Sequence, residues 1–416
     1  MTGAAATIEA VFRREHGRII ATLIRLSGSF DLAEEALQDA FTSALQDWAE
    51  NGIPRNPAAW ITTAAHRKLI DRVRRSRTVQ EKQAPLLYET QIYSVPDDTF
   101  LEEGHTFPDD RLRLIFTCCH PALNLEAQVG LTLRTLCGLT TPEIARAFLM
   151  PEPTLAQRIV RAKRKIRDAG IPYEVPPLAV LPQRLASVQS VIYLVFNEGY
   201  SATEGDQLIR RDLCQEAIRL GKILCEILPD QPESMGLLAL MLLQDSRRRA
   251  RINDQGNLVT LEEQDRSLWD QGEIKQGQAL VERALRKHAV GPYQLQAAIA
   301  AVHAEAATAA ETDWSQISGL YTELERISPT PVVALNRAVA VAMSEGLERG
   351  LALIDEAGLT GELSQYHLFY AARADILRRL GRGQEAAEAY EQALRFNVNR
   401  VEREYLRRRL TELTTI

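Results

Sequence analysis

CGLTTPEIARAFLMPEPTLAQRIVRAKRKIRD, residues 137 to 168, holds two short amphipathic segments on either side of a proline-flanked break. Gly138 closes the apolar segment before it. Thr140 or Thr141 can accept orphan N–H groups, Pro142 suits a first turn, and Glu143, three residues after Thr140, completes a capping-box pattern. This predicts a short helix to about Phe148, buried through Ile144, Ala145 and Phe148. After the break at Leu149 to Pro153, Leu155, Ile159, Ala162 and Ile166 recur at helical spacing and predict a second helix. Two short helices across a tight break form a helix-turn-helix.

The polar side of the second helix carries Thr154, Gln157, Arg158, Arg161, Lys163, Arg164, Lys165 and Arg167, with no acid between Glu152 and Asp168. Gln and Arg read base edges in a major groove, and further cations neutralise phosphates. The competing reading is a basic helix on an ordinary solvated surface. The capped helix and break in front of it favour DNA binding. Pro151, Glu152 and Pro153 stand where a Ser or Thr cap is usual, so the sequence marks the start of this helix poorly.

Composition bounds the rest. A chain of 416 residues has room for two or three domains, and an apolar content of 45% is ordinary for a soluble protein. No apolar run approaches the ~18 residues that cross a bilayer, and the first ten residues have neither the charge nor the apolar stretch of a secretory signal. A cytoplasmic protein without membrane attachment is expected. Cysteines 118, 119, 137, 214 and 225 are few and odd in number, which fits reduced thiols rather than a disulfide framework. The run Cys118, Cys119, His120 with Cys137 invites a metal reading, but adjacent cysteines on a helix point about 100° apart and no second CxxC or HxxxH accompanies them. Small buried thiols are the expectation, with no metal and no cofactor.

The net charge of -6 suits a DNA binder only once it is divided along the chain. Residues 1 to 170 sum to about +1 and the remainder to about -7. Leu26 to Pro54 holds six acids (Asp31, Glu34, Glu35, Asp39, Asp47, Glu50) and no Lys or Arg, whereas Arg67 to Arg77 holds six cations against Asp71. Separate blocks of opposite sign imply separate partners.

Residues 8 to 78 read as a three-helix domain. Ile8, Val11, Phe12, Ile19, Ile20, Leu23 and Ile24 mark one helix, and Ala33, Leu37, Ala40, Phe41, Ala44, Leu45 and Trp48 a second. Trp60, Ile61, Ala64, Ala65, Leu69, Ile70 and Val73 mark a third, starting near Ala58. DLAEEALQDAFTSALQDW (31 to 48) followed by NPAAWITTAAHRKLIDRVRR (56 to 75) resembles regions 2.2 and 2.3 to 2.4 of the extracytoplasmic-function sigma factors of bacterial RNA polymerase, and the helix-turn-helix resembles their region 4.2. The order and spacing of the blocks agree, which is more specific than either block alone.

The resemblance implies an all-α protein that binds core RNA polymerase, through the clamp of the large catalytic subunit and its flap, and reads two promoter elements. It places Glu34, Leu37, Gln38, Asp39, Phe41 and Thr42 in the stretch that grips the clamp. It places Trp60, Thr63, Arg67, Lys68, Arg74 and Arg75 where the -10 element is bound and melted. Asn51, Arg55 and Asn56 in the loop before them offer hydrogen bonds to an extruded base. For Trp60 a core aromatic is the equal alternative. The -35 element falls to Thr141, Thr154, Gln157, Arg158, Arg161, Lys163 and Lys165.

Residues 79 to 110 read as an extended acidic connector, with eight acids from Glu81 to Asp110 against Lys82 and with Pro85, Pro96, Gly104 and Pro108 breaking any long helix. In the resembling family this linker threads the polymerase, and a solvated tether is the alternative. Residues 111 to 170 form the second DNA-reading domain, in which Leu112, Leu114, Ile115, Phe116, Leu123, Val129, Leu131, Leu133 and Leu136 support the helix-turn-helix.

Residues 178 to 416 read as a helical extension. LNRAVAVAMSEGLERGLALIDEA (335 to 357) and YAARADILRRLGRGQEAAEAYEQAL (370 to 394) align Ala338 on Ala374, Gly350 on Ala386 and Ile354 on Tyr390, an offset of 36 residues. That period, with small residues at helix crossings, resembles the tetratricopeptide repeat, whose helix pairs stack into a solenoid. The whole looks like the sigma subgroup with a C-terminal repeat domain. Asn197, Glu198 and Arg266, in IYLVFNEGYSAT and QDRSLWD, are either ligand contacts or buried polar groups that pair helices, the second being the expectation. An unknown regulator or ligand on the extension is a possible further partner. The main alternative to a sigma factor is a stand-alone operator-binding regulator with a helical effector domain, which leaves the acidic helix and the Trp-containing basic helix unaccounted for. With no Walker loop, GxSxG, HExxH or His/carboxylate cluster, an enzyme is not expected.

Overall fold

Helices, most of them amphipathic, make up most of the described residues. The computed structural model describes residues 3–80, 108–147, 150–177, 179–201, 208–359, 361–397 and 399–414, and a single antiparallel bridge pairs Ile252 with Leu258. The connector expected over 79–110 lies, apart from its ends, outside the described residues. The chain divides into two units, Met1–Val191 and Ile192–Ile416.

In the first unit α1 is Gly3–Ser27, α2 Phe30–Glu50 and α3 Pro57–Gln80. Ser29 caps α2 by accepting the Leu32 N–H at 3.3 Å, and Asn56 does the same for Ala59 of α3 at 3.2 Å. Ile19, Ile20, Leu23 and Ile24 of α1, Ala33, Leu37, Ala40, Ala44 and Trp48 of α2, and Ile61, Ala65 and Leu69 of α3 close one core. The periodic pattern marks these positions in the sequence, with Leu45 as the exception: it is 50% exposed.

Next come α4 (Pro108–Cys118), α5 (Leu125–Thr135), α6 (Thr141–Ala147) and α7 (Glu152–Asp168). The expected capping box forms on Thr140: its N–H donates to Glu143 at 2.7 Å and its hydroxyl accepts the Glu143 N–H at 3.3 Å. Helix α7 starts at Glu152 on Pro151, with no side-chain cap. Leu155, Ile159, Ala162 and Ile166 are all buried, as their spacing predicts. α8 is Leu181–Tyr200.

The second unit continues through α9 (Arg211–Ile227), α10 (Pro232–Asp245), α11 (Gln271–Leu285), α12 (Pro292–Glu305), α13 (Trp314–Ile327), α14 (Pro331–Glu345), α15 (Leu347–Gly358), α16 (His367–Arg379), α17 (Gly383–Phe396) and α18 (Arg400–Thr414). Almost every residue of α10 from Ser234 to Leu243 is buried, so neighbouring helices cover it all round. Ala338, Ile354, Ala374, Ala386 and Tyr390 lie in one apolar cluster, and Gly350 is buried as well. The two aligned sequence blocks therefore bury equivalent positions.

Candidate nucleic-acid interface

Helical geometry, at 100° per residue, sorts the cations of α7. Leu155, Ile159, Ala162 and Ile166 lie within about 60° of one another and face the core. Gln157, Arg161 and Arg164 point away from it, Thr154 and Lys165 stand about 90–110° round the helix, and all five are exposed. Arg164 and Arg167 both donate to Asp168, at 3.1 and 3.2 Å, and these bonds hold its carboxyl below the usual range. Thr141, at the first position of α6, is half-buried and is not the cap.

Two of the expected DNA contacts stand elsewhere. Arg158 and Lys163 flank the buried stripe instead of opposing it, and each turns to an acid of a packed neighbour. Arg158 Nη1 lies 2.7 Å from Glu126 of α5. Lys163 Nζ lies 3.1 Å from Asp31 and 2.8 Å from Glu34, both on α2. Cys118, within electrostatic reach of Lys163 and Glu34, and Cys119, beside Thr132, are fully buried thiols, Cys118 raised well above its ordinary value and Cys119 pushed up to about 11, in both cases first by burial.

Helix α3 carries its own stripe. Trp60, Thr63, Arg67 and Arg74 fall within about 60° on the helix and oppose the buried Ile61, Ala65 and Leu69. Trp60 is half-buried, edge-on to the buried Trp48 at 5.6 Å, which places it between the two readings the sequence left open. Arg67 and Arg74 are exposed, Lys68 is half-buried to one side, and the side chain of Arg75 lies outside the described residues. At the head of the stripe Asn51, Arg55 and Asn56 are exposed. Asn51 Nδ2 donates to Asp47 at 2.9 Å, and Asn56 Oδ1 is committed to its cap.

On α2 the outward face is Asp31, Glu35, Gln38, Thr42 and Leu45, all exposed. Leu37 and Phe41, expected among the polymerase contacts, are buried: Leu37 is 2% exposed and Phe41 meets Phe12 edge to face at 5.2 Å. They shape the helix from behind. Asp39 accepts from Arg72 of α3 at 2.7 Å, and Glu35 from the same guanidinium at 2.5 Å, so one arginine ties the acidic helix to the basic one. The exposed Leu45, one turn from Thr42, is the surface residue that sequence reasoning assigned to the core. Its position about 120° from Ala33 on the helix was the available signal.

In the second unit, Arg266 donates to the His303 and Ala306 carbonyls, each at 2.6 Å, and to Thr312 at 3.0 Å. Glu198 meets Arg210 at 3.1 Å. These are polar ties between segments, as their apolar contexts predict. The Arg251 guanidinium sits 3.7 Å over the Tyr200 ring and donates to the Tyr200 carbonyl, a buried anchor the sequence did not single out. Among the described residues no group of three or more His, Cys, Asp or Glu is placed to hold a metal, and no helix is long and apolar enough to cross a membrane.

A helix-turn-helix with a cationic outward face, joined to a three-helix module presenting an acidic helix and an aromatic-cationic one, defines a DNA-binding protein of the two-module kind. The family models for sigma-70 region 2 and sigma-70 region 4 match residues 11–79 and 113–166, and that of a family of unknown function, DUF6596, matches residues 184–285. "Uncharacterized protein R00370" of Rhizobium meliloti (strain 1021) is 45% identical over 396 residues, covering 94% of this chain and 92% of that protein. The chain belongs to the sigma-70 family, as an extracytoplasmic-function-like sigma factor with an additional C-terminal domain. It is a transcription initiation factor that binds RNA polymerase and recognises promoter elements.

Proposed function

We propose that the outward face of α7 reads the -35 element, the Trp60–Arg74 stripe of α3 holds the melted -10 element, and the outward face of α2 meets the clamp of the large catalytic subunit of core polymerase. The reading is carried by one observation: on all three helices a charged or polar stripe stands opposite a buried one, so each stripe faces away from the core that holds its helix. Opening a promoter costs a few kcal/mol per extruded base, and a strand track of cations with an aromatic platform offsets it. Arg67 and Arg74 supply the track, Trp60 the platform, and Asn51 and Arg55 hydrogen bonds for a splayed base. Gln157 and Arg161 are the base-edge readers on α7, while Arg164 and Lys165 neutralise phosphates. Thr141 and Thr154 flank that face.

The second unit modulates this activity. Its α14–α17 stretch, in which Ala338 and Ala374, Gly350 and Ala386, and Ile354 and Tyr390 are buried alike, supports tetratricopeptide-like pairing and with it a surface for a regulator or ligand. The protein works in the cytoplasm, where core polymerase is. Promoter-specific run-off transcription with core enzyme tests both statements. Trp60→Ala should abolish opening while leaving the core complex intact, and removal of residues 201–416 should change the output or its regulation. Truncated protein that matches the full chain in both would remove the modulatory role.

A further inference from the structure

Within the first unit the two promoter-reading modules hold one another. Lys163 of α7 is clamped between Asp31 and Glu34 of α2, and its side chain is 13% exposed, against 73% for Arg164 on the outward face. The seam continues along α1. Arg25 Nε donates to the Asp110 carboxylate at 2.9 Å and Thr22 to the same oxygen at 3.2 Å, and that carboxylate is 3% exposed. Past the end of α7, the Tyr173 hydroxyl lies 2.8 Å from the Ala21 carbonyl of α1 and 3.1 Å from the Asp110 carbonyl of α4. Backbone meets backbone as well: a Cβ on Gly17 of α1 would stand 2.5 Å from the Leu136 carbonyl oxygen. Gly138, with φ +73°, turns against the Phe12 and His16 rings, which a Cβ would approach at 3.0 Å.

These contacts engage groups that the proposed function needs elsewhere. A cation aimed at phosphate and an acid aimed at polymerase cannot serve their partners while they neutralise each other, and the partly buried Lys163–Glu34 arm is screened by salt less than the exposed Asp31 arm. We propose that this seam is an autoinhibitory lock: α7 occupies the acidic flank of α2 through Lys163, Tyr173 fastens the chain leaving α7 to α1, and core polymerase binds only the fraction of molecules in which the seam has opened. The inference rests on the reading of α2 as the polymerase-binding helix.

The test uses full-length protein with fluorophores on cysteines introduced at the exposed Glu50 and Asp168, read by energy transfer, together with core-polymerase affinity measured without DNA. Lys163→Ala and Tyr173→Phe should each lower energy transfer in the free protein and tighten core binding several-fold, because apparent affinity scales with the open fraction. A residue that acted only on DNA would leave both readings unmoved. Lys163→Glu should open the seam, and adding Glu34→Lys should close it again with energy transfer restored; matching far-ultraviolet circular dichroism separates opening from unfolding. Unchanged energy transfer and core affinity in Lys163→Ala and Tyr173→Phe overturn the lock and leave the sigma reading standing. Wild-type and Tyr173→Phe protein that both ignore core polymerase overturn the reading beneath it.

Discussion

Gln157 and Arg161 show how a side chain's angle on its helix sets what it can reach. Both face away from the buried stripe of α7 and both are exposed, so Gln157→Ala and Arg161→Ala should each cost roughly 1–3 kcal/mol of discrimination at one -35 base pair, whereas Arg164→Ala should lower the salt slope of binding by about 1. Binding isotherms on point-substituted promoters at several salt concentrations measure both. Arg158 and Lys163 look equivalent to them in the one-letter sequence, yet lie about 60–80° from the centre of the buried stripe and are spent on acids. Their charge was legible; the acids that take them, Glu126, Asp31 and Glu34, come from other helices, and no local pattern names those partners. The same holds in the second unit for His303, whose imidazole is lowered to about 4 by burial, with Arg247 and Arg266 beside it. The unfolded chain takes up that proton near pH 6.5 and the folded chain only near 4, so the contribution is complete above 6.5 and is lost as pH falls toward 4. Melts at pH 7 and pH 4.5 should show His303→Asn losing less stability on acidification than the wild type, by up to roughly 2–3 kcal/mol.

Helices were readable wherever a cap and a buried stripe coincided. The Thr140–Glu143 box and the Leu155, Ile159, Ala162, Ile166 quartet were both visible as spacing, and both form. Thr140→Ala should therefore cost about 1 kcal/mol, and Ile159→Ala about 2–4 kcal/mol with weakened -35 binding, as read by denaturant melts and promoter affinity. Element boundaries were less legible where proline stands in for a cap, as at Pro151, because a missing N–H ends the search for a partner without advertising a start. On α2 the apolar period already turned Leu37 and Phe41 inward, although the resemblance set them among the polymerase contacts, and only Leu45, half exposed, departs from it. A Leu45→Lys substitution tests that surface: it should leave the fold intact, since the side chain already meets solvent, and weaken the complex with core polymerase.

Across the whole molecule, charge blocks and module order announced two DNA-reading modules and a long helical extension, while the way the two modules close on each other was hidden. Asp110 and Tyr173 carry that closure, and they lie 85 and 152 residues from their partners Arg25 and Ala21. Contacts over such separations leave no periodic trace in the chain. The account as a whole stands on the chain's acting together with core polymerase. The most direct measurement is run-off transcription by purified core enzyme on a library of random promoter fragments, with and without the chain. The prediction is that transcripts appear only when the chain is present and start downstream of two recurring sequence blocks. Equal transcript profiles with and without the chain would contradict the account.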